Sequence, residues 1–123
     1  MASLNKMKGV KQMAEQFDER KELGMEIQMA LLNQLKEKGV KSLVFKDLVS
    51  DYMTLWDIKC LLIDDIFEKG VTLKYQNGEN QYGYKKNESV SELNRINSQM
   101  LKILKELNIT AEPIKKKEED FEL

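Results

Sequence analysis

The run from Phe45 to Gly70 reads as one long helix that carries apolar residues on two sides. Phe45, Leu48, Tyr52, Leu55, Leu62 and Ile66 recur at helical spacings and share one face. Val49, Met53, Trp56, Cys60, Ile63 and Phe67 form a second stripe, displaced around the same cylinder. A surface helix of a small domain normally shows a single apolar stripe, so two stripes demand partners on two sides. A chain of 123 residues is one domain's worth of sequence. Self-association is the expected way to cover the second stripe, and its six residues are the expected oligomer interface.

The helix is bounded at both ends. Glu37-Lys38-Gly39-Val40 stops a preceding helix and Glu68-Lys69-Gly70-Val71 stops this one. In each, lysine suits the negative end of the helix dipole and glycine accepts the left-handed cap conformation. Ser42 is the expected N-cap, and about 27 residues at 1.5 Å each make a rod of roughly 40 Å. Upstream, Leu23, Ile27, Ala30, Leu31, Gln34 and Leu35 share a helical face between Asp18 and Lys38, interrupted by Gly24. Glycine in a helix interior is about 1 kcal/mol less favourable than alanine. Residues 1–18 place Lys6, Lys8 and Lys11 ahead of any acid. They read either as a basic arm that meets phosphates or as a lysine-bearing, frayed helix.

After Gly70 the period changes from helix to strand. Val71-Thr72-Leu73-Lys74-Tyr75 alternates, Asn77-Gly78 supplies a hairpin turn, and Gln81-Tyr82-Gly83-Tyr84-Lys85 returns. Tyr75, Tyr82 and Tyr84 interleave with Lys74, Lys85 and Lys86. That pattern suits a nucleic-acid surface and equally suits cross-strand packing with lysines guarding the edges. Ser89 and Glu92 form a capping-box pattern. The helix it opens runs to Leu107, where Asn108 can cap it, with a seam of Val90, Leu93, Ile96 or Asn97, Met100, Ile103 or Leu104, and Leu107. The expected fold is therefore mainly α. It has a long antiparallel helix pair linked by a β-hairpin and an additional N-terminal helix or helices, and it is expected to form a homo-oligomer. Residues 19–110 form its core. Residues 111–123, with Pro113, Lys115-Lys116-Lys117 and Glu118-Glu119-Asp120-Phe121-Glu122-Leu123, read as a charged, disordered tail. Phe121 and Leu123 set in acid are either a short docking motif or part of a solubilising tail.

Composition argues against an enzyme. Histidine is absent, which removes the commonest general base and zinc ligand. Cys60 is the single cysteine, set among apolar neighbours, so no intrachain disulfide or thiolate metal site can form. No glycine-rich phosphate loop is present, and Asp64 and Asp65, adjacent on a helix, diverge and read as a solvated edge. No metal or cofactor is expected. The net charge of −1 argues against a wholly basic surface but leaves room for a local basic patch. With neither a signal-peptide core nor a membrane span, the chain is expected to be soluble and cytoplasmic.

A resemblance sharpens these expectations. Leu48-Val49-Ser50-Asp51-Tyr52, Leu55-Trp56-Asp57-Ile58-Lys59, Asp65-Ile66-Phe67-Glu68-Lys69-Gly70-Val71, Tyr75-Gln76-Asn77-Gly78, Gly83-Tyr84-Lys85-Lys86-Asn87, Ser89-Val90-Ser91-Glu92-Leu93 and Asn97-Ser98-Gln99-Met100-Leu101-Lys102-Ile103-Leu104 occur in that order. Together they resemble the short small subunits of phage terminases, over about half of the chain. The resemblance implies a non-enzymatic subunit of the genome-packaging machine, in the host cytoplasm, that binds double-stranded viral DNA. It also implies that the subunit regulates a large ATPase–nuclease subunit and assembles into rings of about eight to twelve copies. On that reading, DNA contact falls to Lys6, Lys8, Lys11, Lys85, Lys86 and Arg95, and docking of the large subunit to Phe121 and Leu123. The chain departs from many small subunits in one respect: residues 1–40 show no clear recognition helix of a helix-turn-helix. A phage head–tail adaptor and a small dimeric DNA-binding regulator or antitoxin are the alternatives.

Overall fold

The computed structural model describes residues 2–110, apart from the side chains of residues 2–8, 13 and 14. Three helices and one hairpin follow in the order α1 (Ala2–Glu37), α2 (Leu43–Lys69), β1 (Thr72–Gln76), β2 (Tyr82–Lys86) and α3 (Glu88–Glu106). The expected antiparallel helix pair linked by a hairpin is α2 and α3. The N-terminal helix or helices are one, α1, which is continuous through Asp18 and Gly24.

Helix ends are set by local chemistry. At the end of α1 the Val40 amide donates to the Leu35 carbonyl and the Gly39 amide to Lys36, with Gly39 at φ 72°. The end of α3 repeats this pattern with asparagine in the left-handed position. Asn108 has φ 55°, its amide donates to Lys105, and that of Ile109 donates to Leu104. In both, the residue after the left-handed one is apolar and folds back on the core, as this C-cap favours. The Lys38 ammonium donates to the Asn108 carbonyl and joins the two ends. Ser42 caps α2 as expected, its hydroxyl accepting from the Val44 amide at 3.2 Å.

The capping box expected at Ser89 and Glu92 is corrected. Asn87 is the N-cap of α3, accepting from the Ser89 amide at 3.0 Å. The Ser89 hydroxyl is turned away and donates to Asp65 at 2.6 Å, while Glu92 pairs with Arg95 at 2.8 Å. The two strands each begin one residue later than their alternation suggests, with Leu73 opposite Lys85 and Tyr75 opposite Gly83.

α2 lies between the other two helices, antiparallel to both. Leu31 and Leu35 of α1 meet Val49, Gly24 meets Trp56, and Arg20 meets Asp64. α3 starts beside Asp65 and finishes where Leu107 and Ile109 join the Val49 cluster. The tightest packing, Leu31, Leu35, Val49, Leu107 and Ile109, therefore sits at the pole where α1 turns into α2. Each such side chain contributes about 1.5–3 kcal/mol on burial. At the opposite pole, α1 continues beyond the end of α2. Gln16 lies beside Phe67 and Glu68 near the end of α2, and the residues preceding it, at ~1.5 Å each, carry α1 roughly 20 Å further.

Candidate assembly and nucleic-acid surfaces

The second stripe of α2 divides between two environments. Val49 was expected at the oligomer interface, but it is the most deeply buried side chain of the protomer, 1% exposed, and Met53 packs beside the same cluster. These two are occupied within the chain. Trp56 lies against α1, its ring edge 2.9 Å from where a Cβ on Gly24 would stand. Gly24, read from sequence as a weak point of the helix, is thus the site of closest approach between helices. Cys60 is half-buried beside it, and burial pushes its thiol pKa up, away from reactivity. Only the last part of the stripe stays open: Ile63 is 39% and Phe67 92% exposed, with Phe17 of α1 67% exposed alongside. Between them opens a groove of about 350 Å³ lined by Phe17, Arg20, Ile63, Asp64 and Phe67.

Asp64 and Asp65 are not a merely solvated edge. The Arg20 guanidinium donates to both Asp64 oxygens, at 2.7 and 2.9 Å, and holds that carboxyl below its usual range. This bidentate pair pins α1 to α2 beside the groove. Asp65 accepts from the Ser89 hydroxyl at 2.6 Å, from Lys69 at 2.9 Å and from the Asn87 amide at 3.2 Å. Those donors lower its pKa to about 2, Ser89 contributing most. Asn87 is buried, and its side-chain amide also donates to the Gly70 carbonyl at 2.9 Å while its backbone amide donates to Val71. One clasp thus joins the end of α2, both feet of the hairpin and the start of α3.

Register decides what each hairpin face presents. Residues paired across the strands share a face, so Leu73, Tyr75, Gly83 and Lys85 lie on one side. Thr72, Lys74, Tyr82, Tyr84 and Lys86 lie on the other. Lys85 and Lys86, grouped in the sequence reading, point to opposite faces. On the first face the Tyr75 ring covers Gly83 so closely that any side chain there would collide. On the second, the Lys74 ammonium sits 4.5 Å from the centre of the Tyr82 ring. Tyr84 on this face is 71% exposed.

Lys6, Lys8 and Lys11 lie on the part of α1 that runs beyond α2, and Arg95 lies two turns into α3. Arg95 is engaged with Glu92 at 2.8 Å, a pairing that sequence spacing of three would have revealed. Phe121 and Leu123, the expected docking residues, lie outside the described residues. Among the described residues no group of three or more His, Cys, Asp or Glu side chains could hold a metal ion. No helix there is long and apolar enough to cross a membrane.

A family model described as phage terminase, small subunit, matches residues 27–118, which include the end of α1, all of α2, the hairpin and α3. No curated protein and no solved structure matches.

Proposed function

The chain belongs to the phage terminase small-subunit family, and from that premise we propose that it is a DNA-binding assembly subunit of genome packaging. It binds double-stranded viral DNA and recruits and regulates the large ATPase–nuclease subunit, without catalytic chemistry of its own, in the host cytoplasm. The family match across α2, the hairpin and α3 is the observation that carries this reading. The described surface supports it in two places.

The first is assembly. Met53, Trp56 and Cys60 steady the middle of the α2 stripe, while Ile63 and Phe67, with Phe17, offer an apolar patch to a neighbouring copy. Val49 is spoken for by the chain's own core. A head-to-tail ring gives every subunit two interfaces, each of standard size at ~800 Å² per subunit, and a closed ring of about eight to twelve copies is the assembly proposed.

The second is DNA contact. Its candidates are Lys6, Lys8, Lys11, Lys85, Lys86 and Arg95; of the hairpin pair, Lys86 carries the main contact, since it shares the more aromatic face with Lys74 and Tyr82. Contacts from such groups go to phosphates, so binding is sequence-tolerant and falls steeply with salt. Phe121 and Leu123 are assigned to the large subunit.

Native mass measurement combined with a salt-titrated DNA mobility shift tests the proposal. A closed multi-subunit ring that shifts DNA at low salt is the expected result. A ring without DNA affinity at any salt would instead indicate a head–tail adaptor, and a DNA-binding dimer a small regulator.

A further inference from the structure

The elbow between α1 and α2 holds a second concavity, at the core pole and far from the open end of the stripe. Its volume is about 320 Å³; Leu32, Leu35 and Phe45 line it, and Lys36, Lys41 and Lys46 stand at its edge with no acid among the lining residues. All three lysines are exposed, and among the described residues none of them forms an ion pair. On a chain of net charge −1, an apolar hollow bordered by three lysines selects an apolar side chain flanked by carboxylates.

We propose that the occupant is the chain's own segment Glu118 to Leu123, with Phe121 in the hollow and Glu118, Glu119, Asp120 and Glu122 facing the lysines. Three observations lead there. The segment sets two large apolar residues, Phe121 and Leu123, among four carboxylates. The chain leaves the described fold next to it: Ile109 is buried in the same cluster as Leu35, which lines the hollow, and Thr110 follows at the surface. From Thr110 to Phe121 the chain can span up to roughly 36–40 Å at 3.3–3.6 Å per residue, ample for a seat beside its point of departure. Lys115-Lys116-Lys117 would be repelled by the lysine edge, which leaves the acidic stretch as the part that fits.

The seat adds regulation to the function proposed above. Phe121 and Leu123 would be held on the subunit until the large subunit competes for them. That consequence rests on the large-subunit reading, whereas the seat itself concerns this chain alone.

Disulfide trapping in the full chain tests the seat without any partner. In a Cys60→Ala background, Lys41→Cys is combined with Glu122→Cys. The control combines Lys102→Cys, exposed in the last turns of α3 before the chain's exit, with Glu122→Cys. The expected result is an intrachain disulfide that forms much faster with position 41 than with position 102. Adding Lys36→Glu and Lys46→Glu should slow it about tenfold, since like charges then face each other. Glu118→Lys with Asp120→Lys should restore the rate. Equal rates at the two positions, indifference to charge reversal, or a disulfide formed only between chains would each overturn the proposal, the last by making a second copy the occupant. A large-subunit pull-down that fails while trapping succeeds would remove the recruitment reading and leave the seat standing.

Discussion

Replacing Gly24 by alanine sets two known effects against each other at one atom. In an open helix position the change is favourable by about 1 kcal/mol. At Gly24 the new methyl would stand 2.9 Å from Trp56 Cζ3, about 0.6–1.1 Å inside an ordinary carbon–carbon contact. The obstacle is the edge of a rigid indole, so either the ring or the whole of α1 must move. Overpacking of this kind destabilises by ~1–3 kcal/mol, which outweighs the helix gain. Gly9 supplies the control, since a Cβ there meets nothing within 4 Å. Gly9→Ala should stabilise by up to about 1 kcal/mol, and Gly24→Ala should be less stable than wild type. The gap between the two variants equals the overpacking cost, roughly 1–3 kcal/mol, near 4–12 °C in Tm at about 4 °C per kcal/mol. Trp56 is the single tryptophan, so its emission during urea unfolding reports on the ring itself. If Gly24→Ala stabilised as much as Gly9→Ala with unchanged emission, the close packing of α1 on Trp56 would be refuted.

Four further outcomes follow from the geometry. Asn87→Ala removes an N-cap and a buried donor to Gly70, and should lower stability by about 2–3 kcal/mol in denaturant titration; a change under ~0.5 kcal/mol would mean the clasp is not formed. Asp65 has a depressed pKa of about 2, so its contribution is complete above the unfolded carboxylate value near 3.9 and disappears as pH falls through the folded value. Asp65→Asn should therefore flatten the acid limb of a Tm–pH curve between roughly pH 4 and 2, and an unaltered limb would contradict the assignment. Phe67→Ser, at a side chain 92% exposed in the protomer, should dissociate the assembly in native mass measurements while leaving the far-UV spectrum of the subunit unchanged. Because Lys85 and Lys86 face opposite ways, Lys86→Ala should reduce the salt slope of DNA binding by about one and Lys85→Ala by much less; equal effects would argue against contact through a single hairpin face.

Features governed by neighbours in sequence were readable from it. The glycine stops after α1 and α2, the Ser42 cap and the hairpin turn depend on a few adjacent residues and on backbone conformations that few side chains tolerate. Features decided over distance were not. Asn87 and Ser89 are both good caps, and the choice is made by Asp65, which takes the Ser89 hydroxyl from 24 residues away. Gly24 looked like a defect until Trp56 supplied the reason for it. Asp64 looked solvated because Arg20 lies 44 residues upstream. The division of the second α2 stripe depends on how far α1 and α3 overlap α2, which periodicity along α2 does not encode. The opposed directions of Lys85 and Lys86 were within reach, since strand side chains alternate.

The Asn87–Asp65 clasp has a consequence for how such a subunit can diversify. It closes the hairpin at its base, where Asn87 reaches both Gly70 and Val71, so the bundle is indifferent to what happens between Thr72 and Lys86. Insertions at the Asn77–Asn80 tip, a changed strand length or a new pattern of charge would leave α2 and α3 in register. Those segments would behave as an exchangeable cassette, letting one lineage of packaging subunits change what it grips without redesigning how it assembles.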